Sequence, residues 1–464
     1  MTRTVWAVGA VLASVAFALA DGQDTQRSTQ PIKPTTPDIK APPAIVLPGP
    51  KEIDELVKKP LTADDAARVA LLRQESLLIA KAAVQSATGA RRSTGAALLP
   101  NLAFSSTSTS VNVIKPAPSQ GTSPFEFNAT TQSLSLQQLL FNFSHSEDLL
   151  RQATYMVEAA RRAYDMSKND LVNQVKQAFY TFVQNNSLID AAQANVRNTQ
   201  AQLDLAQARL DSGLGAPADV VNAKTQLADA VVALTQARQA AAASCQSLAI
   251  VMGLDPRTPL TAAPMSEESP VAEEMNALVD QALKNRPEMA EATAVLKAAQ
   301  VGLNAARTGA APSLVFNASF SDAGTSNPLA AIDGSVGVTL SWTFYDSGYT
   351  AGKIQQAKAG VTTAQAQLDL TSQSVVGDVA LAYLNLRSAE QRETVTTANV
   401  AVAQEGVLLA QGRYRAGVTT FLEVITAQTS LFTAQTNDVD AKAAIQQARA
   451  ALARAVGKPA PAIK

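Results

Sequence analysis

Two carboxylates, Asp219 and Glu423, stand at matching points of two copies of one sequence pattern. The first copy is RLDSGLGAPADVVNAKTQL (209–227) and the second is RYRAGVTTFLEVITAQTSL (413–431). They align without a gap at an offset of 204 residues, so Arg209 answers Arg413, Gly213 answers Gly417 and Asp219 answers Glu423. A carboxylate in this setting has two chemical uses. It can stabilise the first turn of a helix, whose dipole favours negative charge. It can also pair with Arg209, Arg413 or Arg415 and latch two elements together. The same arginines suit the last turn of a preceding helix for the same electrostatic reason.

Neither use is catalysis. The chain shows no nucleophile–base pattern, no P-loop and no GxGxxG, and GLGAP at 213–217 reads as a turn. It has one cysteine, Cys245, and one histidine, His145. A disulfide within the chain is therefore impossible, and a Cys/His metal centre is excluded within one chain. Cys245 lies in an Ala-rich helical pattern and reads as a small packed residue. His145, in SHSED, reads as a polar residue at a helix start, with a ring of histidines in an oligomer as the other reading. Net charge is −1, so no basic surface invites nucleic acid. The expectation is a non-enzyme with no cofactor and no metal.

The elements that must position these residues are long helices. Ahead of the first bend, Ile189, Ala192, Val196, Thr199, Leu203, Ala206 and Leu210 step by 3 and 4; after it, Val220, Ala223, Leu227, Ala230 and Leu234 do the same. The second half repeats this with Val400, Ala403, Val407, Ala410 and Tyr414, then Val424, Ala427, Leu431 and Ala434. This is a heptad seam whose small residues let antiparallel helices approach closely. Asp438 interrupts it where Leu234 stands in the first copy. Gly213 and Gly417 supply the left-handed residue that ends a helix. The two stretches are thus bends of helical hairpins, predicted over about 145–252 and 349–456. The helices entering the bends, 145–211 and 349–415, would each run roughly 100 Å at 1.5 Å per residue.

Period-2 patterns precede each hairpin. Leu314, Phe316, Ala318 and Phe320 alternate with polar or smaller residues, as do Val336, Val338, Leu340, Trp342 and Phe344. Strands are predicted near 101–113 and 125–136 in the first half, and 313–320 and 335–344 in the second. Loops at 114–124 and 321–334 would close each pair. Four strands cannot close a barrel, since about eight is the usual minimum. An open sheet in a bilayer leaves edge N–H and C=O groups unmet, at several kcal/mol each. Oligomerisation is the simplest escape, and eight strands in a dimer or twelve in a trimer both satisfy it. Phe141, Phe143, Trp342, Phe344, Tyr345 and Tyr349 collect at the strand-to-helix junctions, as in a membrane-interface belt or in ordinary junction packing.

The remaining segments complete the organisation. Residues 1–20 read as a secretory signal peptide: Arg3, an apolar core from Val5 to Leu19, and Ala18-Leu19-Ala20 as cleavage site. Residues 21–60 hold eight prolines and read as an extended arm. Then come the first repeat (61–252), a Pro-rich linker (253–270), the second repeat (271–457) and a tail (458–464). No apolar run reaches the ~20 residues of a spanning helix.

These features together resemble the TolC-type outer-membrane factors, the outer-membrane efflux proteins of Gram-negative bacteria. The resemblance covers about 61–457. It rests on the twofold repeat, the two R-x-x-x-G-x₅-[DE]-V-x-x-A bends, the LLFNFS and WTFYDSG junctions, and ALKNRPEMAEA at 282–292. It implies a mainly α protein with a membrane β-barrel portion. Four strands per protomer would join a trimeric 12-stranded barrel, and the coiled-coil hairpins would form a periplasmic α-barrel. It implies a passive channel-tunnel in the outer membrane, with outer-membrane lipid around it. Its partners would be a periplasmic adaptor (membrane fusion protein) and an inner-membrane pump of RND, ABC or MFS type, for efflux or type I secretion. Gly213, Leu214, Asp219, Tyr414, Gly417, Val418 and Glu423 would then lie at the periplasmic entrance, with Arg209, Arg413 and Arg415 as possible latch residues. Three copies of Asp219 and Glu423 near one axis would favour cations or an open aperture. Where some relatives carry a basic residue in the second bend this chain has Thr419, and where they carry a further acid it has Thr426. The other reading is a secreted or periplasmic coiled-coil scaffold without channel activity, against which the two matched strand pairs argue.

Overall fold

The computed structural model describes residues 59–113, 125–263, 274–325 and 331–458. The predicted signal peptide, most of the predicted Pro-rich arm, the predicted loop 114–124 and parts of the predicted linker and tail lie outside these. In chain order the elements are α1 (Ala63–Arg73), α2 (Glu75–Ala96), β1 (Asn101–Val113), β2 (Phe125–Phe141), α3 (His145–Asp211) and α4 (Pro217–Val251). The second half repeats them as α5 (Met275–Asn285), α6 (Pro287–Thr308), β3 (Ser313–Thr325), β4 (Ala331–Ser341), α7 (Tyr349–Arg415) and α8 (Phe421–Val456).

The two long helices begin and end where the sequence predicts. α3 and α7 are each 67 residues, about 100 Å at the standard rise. Each starts after a left-handed pair: Phe143 and Ser144 before α3, Ser347 and Gly348 before α7. Asp346 holds the second of these turns by accepting from the backbone N–H groups of Gly348 (3.1 Å) and Thr350 (2.8 Å).

The four strands form one antiparallel sheet in the order β1-β2-β3-β4. β1 has the expected bounds, and the ends of the other three differ. β2 runs on to Phe141, because its ladder with β3 continues past Leu136 and bends at a bulge between Leu139 and Phe141. β3 extends to Thr325 and β4 begins at Ala331, so the predicted loop 321–334 is mostly ladder. Trp342 and Phe344 fall just beyond β4, in the junction.

Register sorts the side chains into two faces. Across the sheet, Phe104 pairs with Leu134 and Leu134 with Phe320; in the next row Leu102, Leu136, Ala318 and Val336 align. The opposite face carries hydroxyls: Ser105 and Ser133 are 2.7 Å apart, as are Ser319 and Ser335. One face is apolar and exposed, the other polar.

The helices pack into three cores. Leu61, Val69, Val175, Phe179, Leu248 and Met252 form one, at the base of the first hairpin. Leu278, Val375, Val379, Leu386, Ile445 and Leu452 form its counterpart in the second half. Ala206, Val220, Ala223, Ala410, Tyr414, Phe421 and Val424 form the third, where the two hairpins meet near their bends.

Candidate functional site: the paired bends

Both bends are built by the same backbone device. Gly213 and Gly417 each have φ of 74°. The N–H of Leu214 donates to Arg209 O and that of Val418 to Arg413 O, both at 2.9 Å. Carbonyls that the helix end would leave unmet are thereby satisfied. Pro217 opens α4, where its missing N–H costs nothing. Leu214 and Val418 project into solvent at the tips.

The side chains differ between the bends. In the second, Arg413 Nη1 pairs with Glu423 Oε1 at 2.7 Å, and the Thr419 hydroxyl donates to Glu423 Oε2. That pair stays within one hairpin. In the first, Asp219 pairs with no arginine among the described residues. It accepts from the hydroxyl of Tyr414, in the other hairpin, at 3.0 Å. Arg209 likewise crosses over: Nη1 donates to the carbonyls of Tyr414 (2.9 Å) and Arg415 (3.1 Å). Its guanidinium lies 4.7 Å from the Tyr414 ring centre. Phe421 packs on the same ring at 5.3 Å.

Tyr414 is thus the hub. Only 3% of it is exposed. Burial pushes its phenol up to about 12, and the hydrogen bond to the Asp219 carboxylate adds to the rise, while Arg209 opposes it. The phenol stays protonated and donates at any physiological pH. Of the arginines singled out in the sequence, Arg413 holds a carboxylate, Arg209 holds carbonyls, and Arg415 contributes its carbonyl. The structure brings Asp219, Tyr414 and Arg209 together; Gly213, Leu214, Gly417 and Val418 form the exposed turns, and Glu423 stays with Arg413 in its own hairpin. The junction aromatics lie far along the chain from the bends. Phe141 and Phe143 pack together at 4.8 Å, Trp342 and Phe344 at 6.3 Å, and all four with Tyr345 are exposed.

A second charged constellation escaped the sequence reading. Arg286, between α5 and α6, is 4% exposed. It pairs with Glu288 at 2.7 Å and Asp378 at 2.8 Å. Arg454 of α8 joins Asp170 of α3 at 2.8 Å and lies 3.8 Å from Glu288. Burial alone would lower the Arg286 guanidinium, but its bonds to Glu288 and Asp378 outweigh it and hold it above its usual value. Burial would raise Glu288, yet the bond from Arg286 holds it below the usual carboxylate range. The signal available in sequence was RPE at 286–288, an arginine beside a helix-opening proline. Asp438, the seam break, accepts from Thr397 at 2.8 Å and pairs with Lys442 at 2.8 Å.

Residues 66–254 and 278–458 match the family model described as outer membrane efflux protein. Among curated relatives, the chain is 25% identical over 303 residues to Protein CyaE of Bordetella pertussis, covering 64% of each chain. It is 26% identical to the outer membrane efflux protein BepC of Brucella suis (68% of this chain, 69% of BepC) and 23% to TolC of Escherichia coli (66% and 64%). The matches to CyaE and TolC thus span a little under two thirds of those relatives. Among solved structures, VceC of Vibrio cholerae superposes with a TM-score of 0.72 at 20% identity, covering 88% of this chain and 96% of VceC. The open-state MtrE channel of Neisseria gonorrhoeae gives 0.72 at 18%, covering 85% and 88%. At such identities these likenesses speak to the fold.

Proposed function

Because this chain belongs to the outer membrane efflux protein family, we propose that it is one protomer of a passive homotrimeric duct carrying small molecules or proteins out of the cell. Its place is the outer membrane, with the helical hairpins on the periplasmic side. The observation that carries the reading is the sheet: four strands, one apolar face, one hydroxyl face and two open edges. Such a sheet suits lipid on one side and water on the other once neighbouring copies pair its edges. Three copies give twelve strands. Phe141, Phe143, Trp342, Phe344 and Tyr345 serve as the interface belt at the periplasmic edge of the bilayer.

The bends form the periplasmic entrance and meet an adaptor, while an inner-membrane pump supplies the energy. The Tyr414–Asp219 and Arg209 contacts act as a clamp between the two hairpins of one protomer. Parting the hairpins exposes all three polar groups to water, so opening leaves none of them buried and unmet. Glu423, with Arg413 and Thr419, shapes the charge at the rim.

The test is the full-length chain purified in detergent. We expect a trimer by analytical ultracentrifugation and ion conductance across a planar lipid bilayer. A monomer with no conductance would overturn the duct and favour a scaffold.

A further inference from the structure

The chain carries the N-x-Ser/Thr acceptor pattern of asparagine-linked glycosylation at Asn128, Asn142, Asn185 and Asn317. These sites are not equivalent. Asn142 donates its amide N–H to the Ser146 hydroxyl at 2.7 Å, Asn185 to Ala240 O at 3.5 Å and Asn317 to the Thr339 hydroxyl at 3.1 Å. Their nitrogens are engaged on helices or across the sheet. Asn128, which pairs with Ser110 of β1, is exposed, whereas the other three are only partly exposed.

Sequence sharpens the distinction. Only Asn128 has an acid two residues before it, in Glu126-Phe127-Asn128-Ala129-Thr130; the other three have Leu140, Val183 and Val315 there. In an extended peptide, alternate residues share a face. Bound to a transferase as an extended peptide, positions 126, 128 and 130 would offer a carboxylate, the acceptor amide and a hydroxyl on one side, one charged and one hydrogen-bonding handle. Alternation also puts Asn128 on the face of Leu134 and Leu136. It lies six residues past Leu134, roughly 20 Å along the strand, beyond the apolar row of Phe104, Leu134 and Phe320.

We propose that Asn128 is a glycosylation site, presented outside the cell on β2. The donor is a polyprenyl-diphosphate-linked oligosaccharide, and the catalyst is a periplasmic oligosaccharyltransferase acting before the barrel closes. Asn128 Nδ2 bonds to the sugar C1, the C1–O bond to the diphosphate breaks, Nδ2 gives up one proton, and the polyprenyl diphosphate leaves. Attachment does not depend on the duct; the outward placement rests on it.

The test expresses the full chain in Gram-negative cells supplied with a bacterial oligosaccharyltransferase and a lipid-linked oligosaccharide ending in N-acetylhexosamine, beside a control acceptor protein. We expect the intact mass to rise by one oligosaccharide, mapping to Asn128. N128Q and T130A should lose it, E126Q should reduce it at least tenfold, and T130S should keep it. An unmodified chain beside a modified control, or attachment at Asn142, Asn185 or Asn317 instead, overturns the site. A lectin for the sugar should bind intact cells; binding only after lysis, with Asn128 modified, overturns the outward placement alone.

Discussion

Arginine joins the helices at both ends of the hairpins, but in opposite ways. At the bends, Arg209 reaches two carbonyls and an aromatic face, and its neighbours are one phenol and one carboxylate. At the base of the second hairpin, Arg286 is enclosed by two carboxylates, with Arg454 and Asp170 beyond them. The first half shows that this charge is not demanded by the backbone. Gly253 and Gly457, both left-handed, approach the chain at equivalent points, meeting the backbone of Arg73 and Gln74 in one half and Arg286 in the other. The residues answering Asp378 and Arg454 at the 204-residue offset are Gln174 and Ile250. At this point the first half has no buried ion cluster among the described residues; its base carries the partly exposed pair Lys176–Asp64 at 2.8 Å. A clamp of hydrogen bonds can open into water, whereas a buried ion cluster, once broken, leaves charges stranded. The comparison assigns holding to the base of the second hairpin and releasing to the bends.

Removing Arg286 should therefore have the largest effect. Arg286→Met strands Glu288 beside Asp378 and should cost about 3–5 kcal/mol, read as a fall in the urea midpoint and in trimer yield. Arg286→Gln, which copies the residue of the first half, should fare little better, because the two carboxylates remain. A neutral outcome would erase the contrast between the two bases. The Glu288 contribution is present above its ordinary pKa and lost as pH falls through its depressed folded value, so the defect should shrink in acid.

The clamp comes next. Tyr414→Phe or Asp219→Ala should cost about 1.5–3 kcal/mol of hairpin-to-hairpin coupling. The double variant should be no worse than the stronger single one, and mean conductance should rise in planar bilayers. The phenol's folded pKa is raised, so its contribution is complete below about pH 10 and lost as pH climbs towards 12. Ultraviolet titration should show one late-ionising tyrosine that Tyr414→Phe removes. If conductance does not change, the bends do not close the duct.

Gly417→Ala should cost about 1–2 kcal/mol, since φ of 74° strains any residue with a Cβ. Its effect should appear in adaptor-dependent export before it appears in trimer yield. Arg413→Ala should matter least, about 0.2–1 kcal/mol, and should vanish in high salt, because the Arg413–Glu423 pair is solvent-exposed and local. A large effect there would move the latch from between the hairpins to within one of them.

Much of the site could be read early for a plain reason. Gly213 and Gly417 mark helix ends because the left-handed conformation is a local property of glycine, and the carboxylates that follow sit in first turns for an equally local reason. The bounds expected for α3 and α7, about 145–211 and 349–415, agree with the helices observed. Strand ends were harder: β2 runs past Leu136 to Phe141 and β3 past Phe320 to Thr325, because only pairing with a neighbour extends them. The Arg286 cluster was hidden because its members come from four helices with no common spacing.

By itself, the sequence determined the duplication, the bends and the alternation of the strands, since each follows from short-range pattern. Tertiary structure alone decided the partners. Asp219 answers Glu423 in the alignment, yet it takes a tyrosine from the other hairpin while Glu423 keeps its own arginine. Arg209 finds carbonyls 205 and 206 residues away. Equivalent positions in a repeat share a backbone but not surroundings. Which group a side chain meets across a helix seam depends on how the two hairpins lie together, and no local spacing encodes that.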